Sequence, residues 1–156
     1  MTLPLKIDEA RAALKLGTPL EGLLLYELDL SDADFSKAQL RGARFAKCKL
    51  RGARLSGLDL VGADVVDCDL AGAALSSSKL AGARFVMGSL EGAELAYAMA
   101  RRARFAQVDL RGANLTDADL ESSALVRCDL TGARFVRARL ERSSLEQSKL
   151  EGACFD

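Results

Sequence analysis

The chain has 156 residues, a length that suits one domain and is short for two ordinary ones. Lysine plus arginine (22) balance aspartate plus glutamate (22), so no overall charge attracts the chain to nucleic acid or anionic lipid. The absence of histidine excludes His-based metal sites, nucleophile–histidine pairs and imidazole acid–base chemistry. Hydrophobic residues make up 49% of the chain but aromatic residues only 5%, which indicates a core built from many small, similar units.

The sequence carries no sign of export or membrane insertion. No run of about 18 apolar residues occurs, and acidic residues lie within the first ten positions, where a secretion signal has a basic region followed by an apolar stretch. We therefore expect a cytoplasmic protein that does not insert into membranes. Four cysteines in such a chain do not form a disulfide scaffold, and we expect them to be reduced.

The first predicted element is a short helix over residues 7–16. Asp8 and Glu9 lie in its first turn, Gly17 follows its last turn, and Thr18 and Pro19 end it. We assign residues 1–19 to an N-terminal capping segment that covers the start of the following element. The apolar residues predicted to cover it are Ile7, Ala10, Ala13 or Leu14, and Leu16.

From residue 20 onward the chain repeats every five residues. Every fifth residue from Leu25 to Phe155 is apolar, which gives 27 consecutive core positions without a break. The residue two before each core position is nearly always small, and the other three positions hold almost all the charges. A helix repeats every 3.6 residues and a strand every two, so neither explains the pattern. A chain that turns a corner every five residues does, and four such sides close a coil of twenty residues that stacks on the next at ~4.8 Å.

Two longer periods support the four-sided coil. The phenylalanines fall on two opposite faces, and glycines recur every twenty residues at the corner position, two after the core residue. A disordered, compositionally biased segment does not explain these periods. Because glycine adopts positive φ easily, we expect one turn type at the two glycine-rich, diagonally opposite edges and another at the alternate edges. The glycines are Gly22, Gly42, Gly62 and Gly82 on one edge and Gly52, Gly72, Gly92, Gly112, Gly132 and Gly152 on the other.

The repeat resembles the pentapeptide repeat family, as in Ala33-Asp34-Phe35, Ala113-Asn114-Leu115 and Ala118-Asp119-Leu120. The resemblance covers residues 20–156 and implies an all-β, right-handed quadrilateral parallel β-helix, here of about seven coils with a short N-terminal capping helix. It implies less about function, because fold and function are separable. Characterised relatives include bacterial quinolone-resistance proteins, which resemble duplex DNA and occupy the DNA site of a type II topoisomerase. Others are bacterial effectors or immunity factors.

Charge argues against DNA mimicry in this chain. Duplex DNA carries a negative charge every ~1.7 Å, so a rod of seven coils at ~4.8 Å would need on the order of 20 negative charges, whereas the net charge here is zero. One face offers an acidic column, which we interpret as a solvated face with mixed ion pairs. The column contains Asp29, Asp69, Asp109 and Asp129, with Lys49 and Lys149 interrupting it and Arg51 and Arg111 beside it.

The search for catalytic chemistry finds no nucleophile, phosphate-binding or metal motif, and we predict no catalytic residue, cofactor or metal. Cys48, Cys68 and Cys128 share one inward column, and Cys48 and Cys68 lie one coil apart, within the reach of a disulfide. We expect all three to be small, buried packing residues. Cys154 falls at an outward position.

One column of outward residues suggests a protein-binding surface. It is apolar along one face, next to a corner methionine, and arginines flank it, a combination common in protein interfaces. The alternative is that β-branched residues simply suit a flat parallel face. The predicted interaction stripe consists of Tyr26, Ala46, Val66, Val86, Met87, Ala106 and Val126, with Arg44, Arg84 and Arg104 beside it.

The last coil has no predicted cap, and its core residues Leu140, Leu145, Leu150 and Phe155 are expected to form an open apolar end. This predicts an end-to-end homodimer through the C-terminal coil, a partner that covers the coil, or a chain that belongs to a longer protein.

The function that we expect is a noncatalytic, rod-shaped scaffold or protein-interaction module with a protein partner of unknown identity and no direct nucleic-acid contact. Alternatives are topoisomerase (gyrase) binding or protection and a domain of a secreted effector or its adaptor.

Overall fold

A computed structural model describes residues 5–156; residues 1–4 of the predicted capping segment lie outside the described residues. Helix α1 spans Ile7–Leu16, as the sequence predicts. At its start the Lys6 backbone N–H donates to Glu9 Oε2 at 2.9 Å. At its end Gly17 adopts a left-handed conformation with φ of 70°, and its N–H donates to the Ala13 carbonyl.

Helix α1 packs on the first turn of the repeat through one face. Ala10, Ala13 and Leu14 are buried, and Ile7 is partly buried against the same core. Leu16 is 77% exposed, so the prediction that it helps to cover the first coil is wrong. Residues three or four apart share a helical face, and Leu16, two positions after Leu14, lies on the far side.

The six strands of residues 5–156 share one face of the solenoid, and the two longest, Asp64–Asp69 and Arg84–Ser89, continue past the corner onto the next face. They pair in parallel and in chain order, and each residue pairs with the one twenty positions further on, as in Leu25 with Phe45 and Phe45 with Val65. A parallel ladder at this constant offset requires a coil of twenty residues. The strands are β1 (Leu24–Tyr26), β2 (Arg44–Ala46), β3 (Asp64–Asp69), β4 (Arg84–Ser89), β5 (Arg104–Ala106) and β6 (Ala124–Val126).

The other three faces are held by single-residue parallel bridges, also twenty residues apart. Examples are Asp34 with Arg54 and Asp59 with Lys79. Four columns of pairs at the same offset confirm the four-sided, all-parallel β-solenoid. Five complete turns lie between β1 and β6, slightly fewer than the seven expected. The number is lower because strand pairing of more than one residue extends only from β1 to β6. Single bridges continue the stack at both ends, from Pro19 to Cys154.

The core positions fill the interior. From Leu20 to Phe135 every fifth residue is buried, as the register predicts. The Phe85 and Phe105 rings stack with centroids 5.0 Å apart and planes 6° from parallel. A small gap of about 10 Å³ lies in the core among Phe45, Val65, Phe85 and leucines of the other faces.

The corners differ from the sequence prediction. Every corner residue from Gly22 to Gly152 except Lys37 has a positive φ, including fifteen that are not glycine. At three of the four corners of a turn, the carbonyl of the core residue accepts a hydrogen bond from the backbone N–H three residues later. The Ala33 N–H, for example, donates to the Leu30 carbonyl at 3.1 Å. At the corner that follows the strand face the chain stays more extended, and the N–H groups of residues such as Cys48 do not make this bond. The corners therefore divide three to one, and the predicted diagonal pairing of turn types is wrong.

Candidate functional site

The structure brings the predicted interaction stripe together on the strand face. Its six in-line members lie side by side in β1 to β6, in register from Tyr26 to Val126. Tyr26 is 36% exposed and Met87, at the adjacent corner, 45%. The remaining members, Ala46, Val66, Val86, Ala106 and Val126, are half-buried.

The flanking arginines form a second column on the same strands. Arg44, Asp64, Arg84 and Arg104 pair in succession along the ladder. Of the three arginines, only Arg84 has an ion pair within residues 5–156, with Asp64 Oδ1 at 3.2 Å. The guanidinium groups of Arg44 and Arg104 therefore lie beside the stripe without a carboxylate partner among residues 5–156.

A polar cluster fixes the N-terminal end of the stripe. Lys47 Nζ lies 3.4 Å from Tyr26 Oη and 5.6 Å from the centre of the Tyr26 ring. The hydrogen bond to Tyr26 raises the pKa of Lys47, which also lies 3.7 Å from Glu27 Oε1. These contacts orient the Tyr26 ring on the surface, which is a suitable arrangement for an aromatic contact residue.

The acidic column is neutralised by cations from adjacent turns and neighbouring positions. Arg111 donates a hydrogen bond to Asp109 and thereby holds the pKa of that carboxyl below its usual value. The four carboxylates each have an ion pair, as the mixed-charge interpretation predicts, so this face is not a continuous negative surface. The pairs are Lys49–Asp29 (3.9 Å), Arg51–Asp69 (3.1 Å), Arg111–Asp109 (2.6 Å) and Lys149–Asp129 (3.7 Å).

The buried cysteines do more than fill space. The Cys48 N–H, which has no turn hydrogen bond, donates to Cys68 Sγ at 3.3 Å, and the Cys48 thiol donates to the Leu25 carbonyl at 3.3 Å. Four turns after Cys48 in the same column, the Cys128 N–H donates to Ser148 Oγ at 2.9 Å. In these two turns the Cys68 and Ser148 side chains therefore supply the acceptor that the extended corner lacks. The sequence contained one indication of this role, because Ser148, a residue that forms hydrogen bonds, occupies the same column as the cysteines.

The acidity of the two neighbouring thiols differs. A hydrogen bond from Cys68 lowers the pKa of Cys48 to about 7, while the bond to Cys48 and burial raise the pKa of Cys68. Burial also raises the pKa of Cys128. All three are free thiols and buried, as expected, and Cys154 is half-buried.

The last turn presents the expected apolar end. Leu140 and Leu145 are half-buried, and Leu150 and Phe155 are 37% and 44% exposed. The Phe155 ring stacks on Phe135 with centroids 4.9 Å apart. The outward residues that follow these core positions are all acidic, and no earlier turn has this arrangement. They are Glu141, Glu146, Glu151 and Asp156.

The structure also contains a groove that sequence reasoning missed. It lies between α1 and the first turn and has a volume of about 450 Å³. The only signal in the sequence was the pair of cations Arg11 and Lys15, which lie four residues apart on α1 and so share a face. Its lining residues are Arg11, Leu14, Lys15, Leu30, Ser31, Ala33, Asp34, Ser36 and Lys37.

Two further properties concern only residues 5–156. No group of three or more cysteine, aspartate or glutamate side chains in that range is arranged to hold a metal ion. Within the same range, no helix has the length and apolarity that crossing a bilayer requires.

Comparison with protein-family models identifies the same five-residue repeat. The family model described as pentapeptide repeats matches in eight copies over residues 29–65, 89–125 and 123–156, more than half of the chain. No curated protein matches.

Solved structures give fold neighbours. Full-length QnrB1, a plasmid-mediated fluoroquinolone resistance protein, is 18% identical with a TM-score of 0.54, over 83% of this chain and 76% of that one. HetL, a pentapeptide repeat protein involved in heterocyst differentiation regulation in Nostoc sp. strain PCC 7120, is 22% identical with a TM-score of 0.36, over 97% and 98%. A pentapeptide repeat protein of the Arabidopsis thaliana thylakoid lumen is 32% identical with a TM-score of 0.37, over 78% and 70%. The five-residue register, the twenty-residue ladder and the family match together establish that the chain belongs to the pentapeptide repeat family.

Proposed function

We propose that this protein is a noncatalytic, rod-shaped scaffold that binds a protein partner through the interaction stripe. The observation that supports this most directly is the register of β1 to β6, which places six outward apolar or aromatic residues in one line with arginines along their edge. The repeat fold is consistent with a scaffold of this kind.

The dimensions suit a linear protein contact. Six strands spaced by ~4.8 Å give a stripe roughly 24 Å long. Its backbone is fixed by the ladder, so a partner that binds there orders few groups of this chain and loses little conformational entropy. Available guanidinium groups beside an apolar line match the arginine enrichment of protein interfaces.

A pair of double variants tests the stripe. Val66→Glu with Val86→Glu places charges in its centre, and Ser76→Glu with Ala96→Glu places the same charges at the equivalent outward positions of the opposite face. Purified wild-type and variant proteins are used to capture partners from the host, and each captured protein is then measured for direct binding. We expect the stripe variant to lose at least tenfold in affinity and the control to retain it. Equal binding by both variants contradicts the proposal.

We further propose that two copies associate end to end through their last turns. Leu150 and Phe155 would be buried in a two-fold contact, and each exposed side chain of this size forgoes ~1.5–3 kcal/mol of burial. The acidic residues around this end repel each other in such a dimer, so association should strengthen with added salt. Light scattering at micromolar concentration should show a dimer that Phe155→Glu dissociates. A monomer in the wild type, unaffected by Phe155→Glu, refutes it.

Gyrase protection is the second candidate, and the fold similarity to QnrB1 favours it. The paired acidic column and the zero net charge oppose it, because a DNA mimic needs an unneutralised negative surface. A supercoiling assay with purified gyrase and a quinolone decides. Protection or inhibition supports this candidate, and no effect at micromolar protein excludes it.

A further inference from the structure

We propose that the groove between α1 and the first turn binds an acidic peptide segment of a protein partner, at a site separate from the interaction stripe. Two features support this: the groove combines an apolar floor with a cationic rim, and the cations of the rim are not neutralised by the chain itself.

The floor and the rim come from both sides of the groove. Leu14 of α1 and Leu30 and Ala33 of the first turn supply the apolar surface, and Arg11, Lys15 and Lys37 supply the charge. A volume of about 450 Å³ lies within the usual range for ligand sites and accommodates a few side chains of an extended peptide. Arg11 and Lys15 are one helical turn apart, so they can meet two successive carboxylates of such a peptide.

Two carboxylates near the groove form ion pairs with cations outside it. Asp34 pairs with Arg54 at 2.9 Å, and Asp29 pairs with Lys49 at 3.9 Å. The Asp32 carboxylate lies over Gly52 on the next turn, where a β-carbon would overlap it. Nothing within residues 5–156 places a carboxylate within 4 Å of the side-chain nitrogens of Arg11, Lys15 or Lys37, as the ion pairs of the chain show. The lining of the groove therefore has three cations and one carboxylate, Asp34, which is paired with Arg54, in a chain of zero net charge.

An acidic peptide fits these features better than a polyanion. Nucleic acid binding depends on the neutralisation of many phosphates, and three cations in one groove are too few for that. The apolar lining supplied by Leu14, Leu30 and Ala33 also favours a ligand that alternates carboxylates with apolar side chains, because each kind of side chain then meets its own complement.

A labelled peptide tests the proposal. The probe is a five-residue peptide that alternates glutamate and leucine, with blocked ends and a fluorescent label, and the matched probe alternates lysine and leucine. Fluorescence anisotropy should show binding of the acidic probe only, and its affinity should fall as salt is added.

Charge-reversal variants locate the binding. Arg11→Glu with Lys15→Glu should reduce affinity at least tenfold, and Arg134→Glu with Arg142→Glu, the same change of net charge on distant turns, should leave it within twofold. Arg11→Gln with Lys15→Gln, which removes the charges without adding carboxylates, should also weaken binding while the melting temperature stays near that of the wild type.

The stripe variant Val66→Glu with Val86→Glu should bind the probe normally. Equal affinity in the groove and distant variants, equal binding of the lysine probe, or full displacement by millimolar inorganic phosphate overturns the proposal.

Discussion

Each side chain of residues 20–156 has an environment set by its position within the five-residue repeat. Core positions such as Phe105 are buried between stacked turns, whereas the neighbouring outward Arg104 is exposed. A residue's tolerance to substitution should therefore change sharply from one position to the next, which two adjacent variants can measure.

Phe105→Asp should destabilise the protein by several kcal/mol, because it buries an unpaired carboxylate and removes the ring that stacks on Phe85. Arg104→Ala should cost about 0.5 kcal/mol or less, since this side chain has no ion pair in the described chain. Denaturant unfolding of both variants checks the prediction. Similar midpoints would contradict the register.

The cysteine column gives a second prediction at this scale. The triple variant Cys48→Ser, Cys68→Ser and Cys128→Ser should remain folded and close to wild-type stability, because Ser148 already makes the equivalent bonds, including one to the Leu125 carbonyl at 2.8 Å. The corresponding triple alanine variant should be less stable by at least about 1 kcal/mol, because it removes the Cys68 acceptor and the thiol donors to the Leu25 and Phe105 carbonyls. Thermal unfolding of the two variants measures the difference.

Thiol labelling of the native protein is an independent check. Cys154 should react rapidly and the three buried thiols slowly, even though Cys48 has the lowered pKa, because a reagent cannot reach it without opening of the fold. Rapid modification of Cys48, Cys68 or Cys128 would show that this column is not closed.

The gap beside Val65 predicts a stabilising substitution. Val65→Leu adds one methylene next to the small gap that Val65 lines together with Phe45 and Phe85, and burial of one methylene contributes up to about 0.8 kcal/mol. Val66→Leu, at the neighbouring outward position, should change the free energy of unfolding by less than about 0.5 kcal/mol. Destabilisation by Val65→Leu would show that the gap is too small to fill.

At the scale of the single turn, the structure departs from expectation. Glycine at a corner predicted a distinct turn type, but residues such as Arg127 and Ser122 adopt the same positive φ as Gly112. The ladder imposes the same backbone conformation on the residue at each corner, whatever its side chain. Glycine at a corner only lowers the energy of that conformation. The sequence therefore located the corners but did not show that every corner residue except Lys37 shares one φ region.

Two corner substitutions test this interpretation. Ser122→Gly should stabilise the protein by up to about 1 kcal/mol, because serine in a left-handed conformation is strained. Gly112→Ala should destabilise it by a similar amount, and the cost is purely conformational because a β-carbon there meets nothing within 4 Å. Melting curves of both proteins provide the measurement. Opposite signs support the interpretation, and equal signs reject it.

At the scale of the whole molecule, sequence predicted the four-sided solenoid, its core and helix α1, because those depend on a pattern repeated many times. It also grouped the stripe residues correctly, since a twenty-residue coil brings them into one line. The groove was not predictable, because it depends on how α1 is oriented over the first turn, which a single non-repeated contact decides. The hydrogen bonds of Cys48 and Cys128 were missed for a similar reason: they depend on one corner that is more extended than the others.

Deletions give a prediction for the whole rod. Removal of residues 111–130 takes out one complete turn and joins Leu110 to Thr131, an equivalent position, so the remaining ladder pairs can form as before. Removal of residues 111–128 is a deletion shorter by two residues, and it moves the residues at core positions outward in every later turn. The first variant should retain a β circular dichroism spectrum and cooperative unfolding, and the second should lose both. Equal behaviour of the two would contradict the twenty-residue coil.

The constant offset of the ladder also constrains how such a gene can change its length. An insertion or deletion of five residues keeps the inside and outside of the chain correct but moves each later residue to the neighbouring face, so the stripe would break at that point and continue a quarter turn away. Only a change of twenty residues, sixty nucleotides, lengthens or shortens the molecule by about 4.8 Å and leaves every surface column intact. A linear binding surface on this protein is thus preserved by whole-turn duplication and rotated by anything less, and tandem slippage in the gene can alter which face a partner meets without disturbing the core.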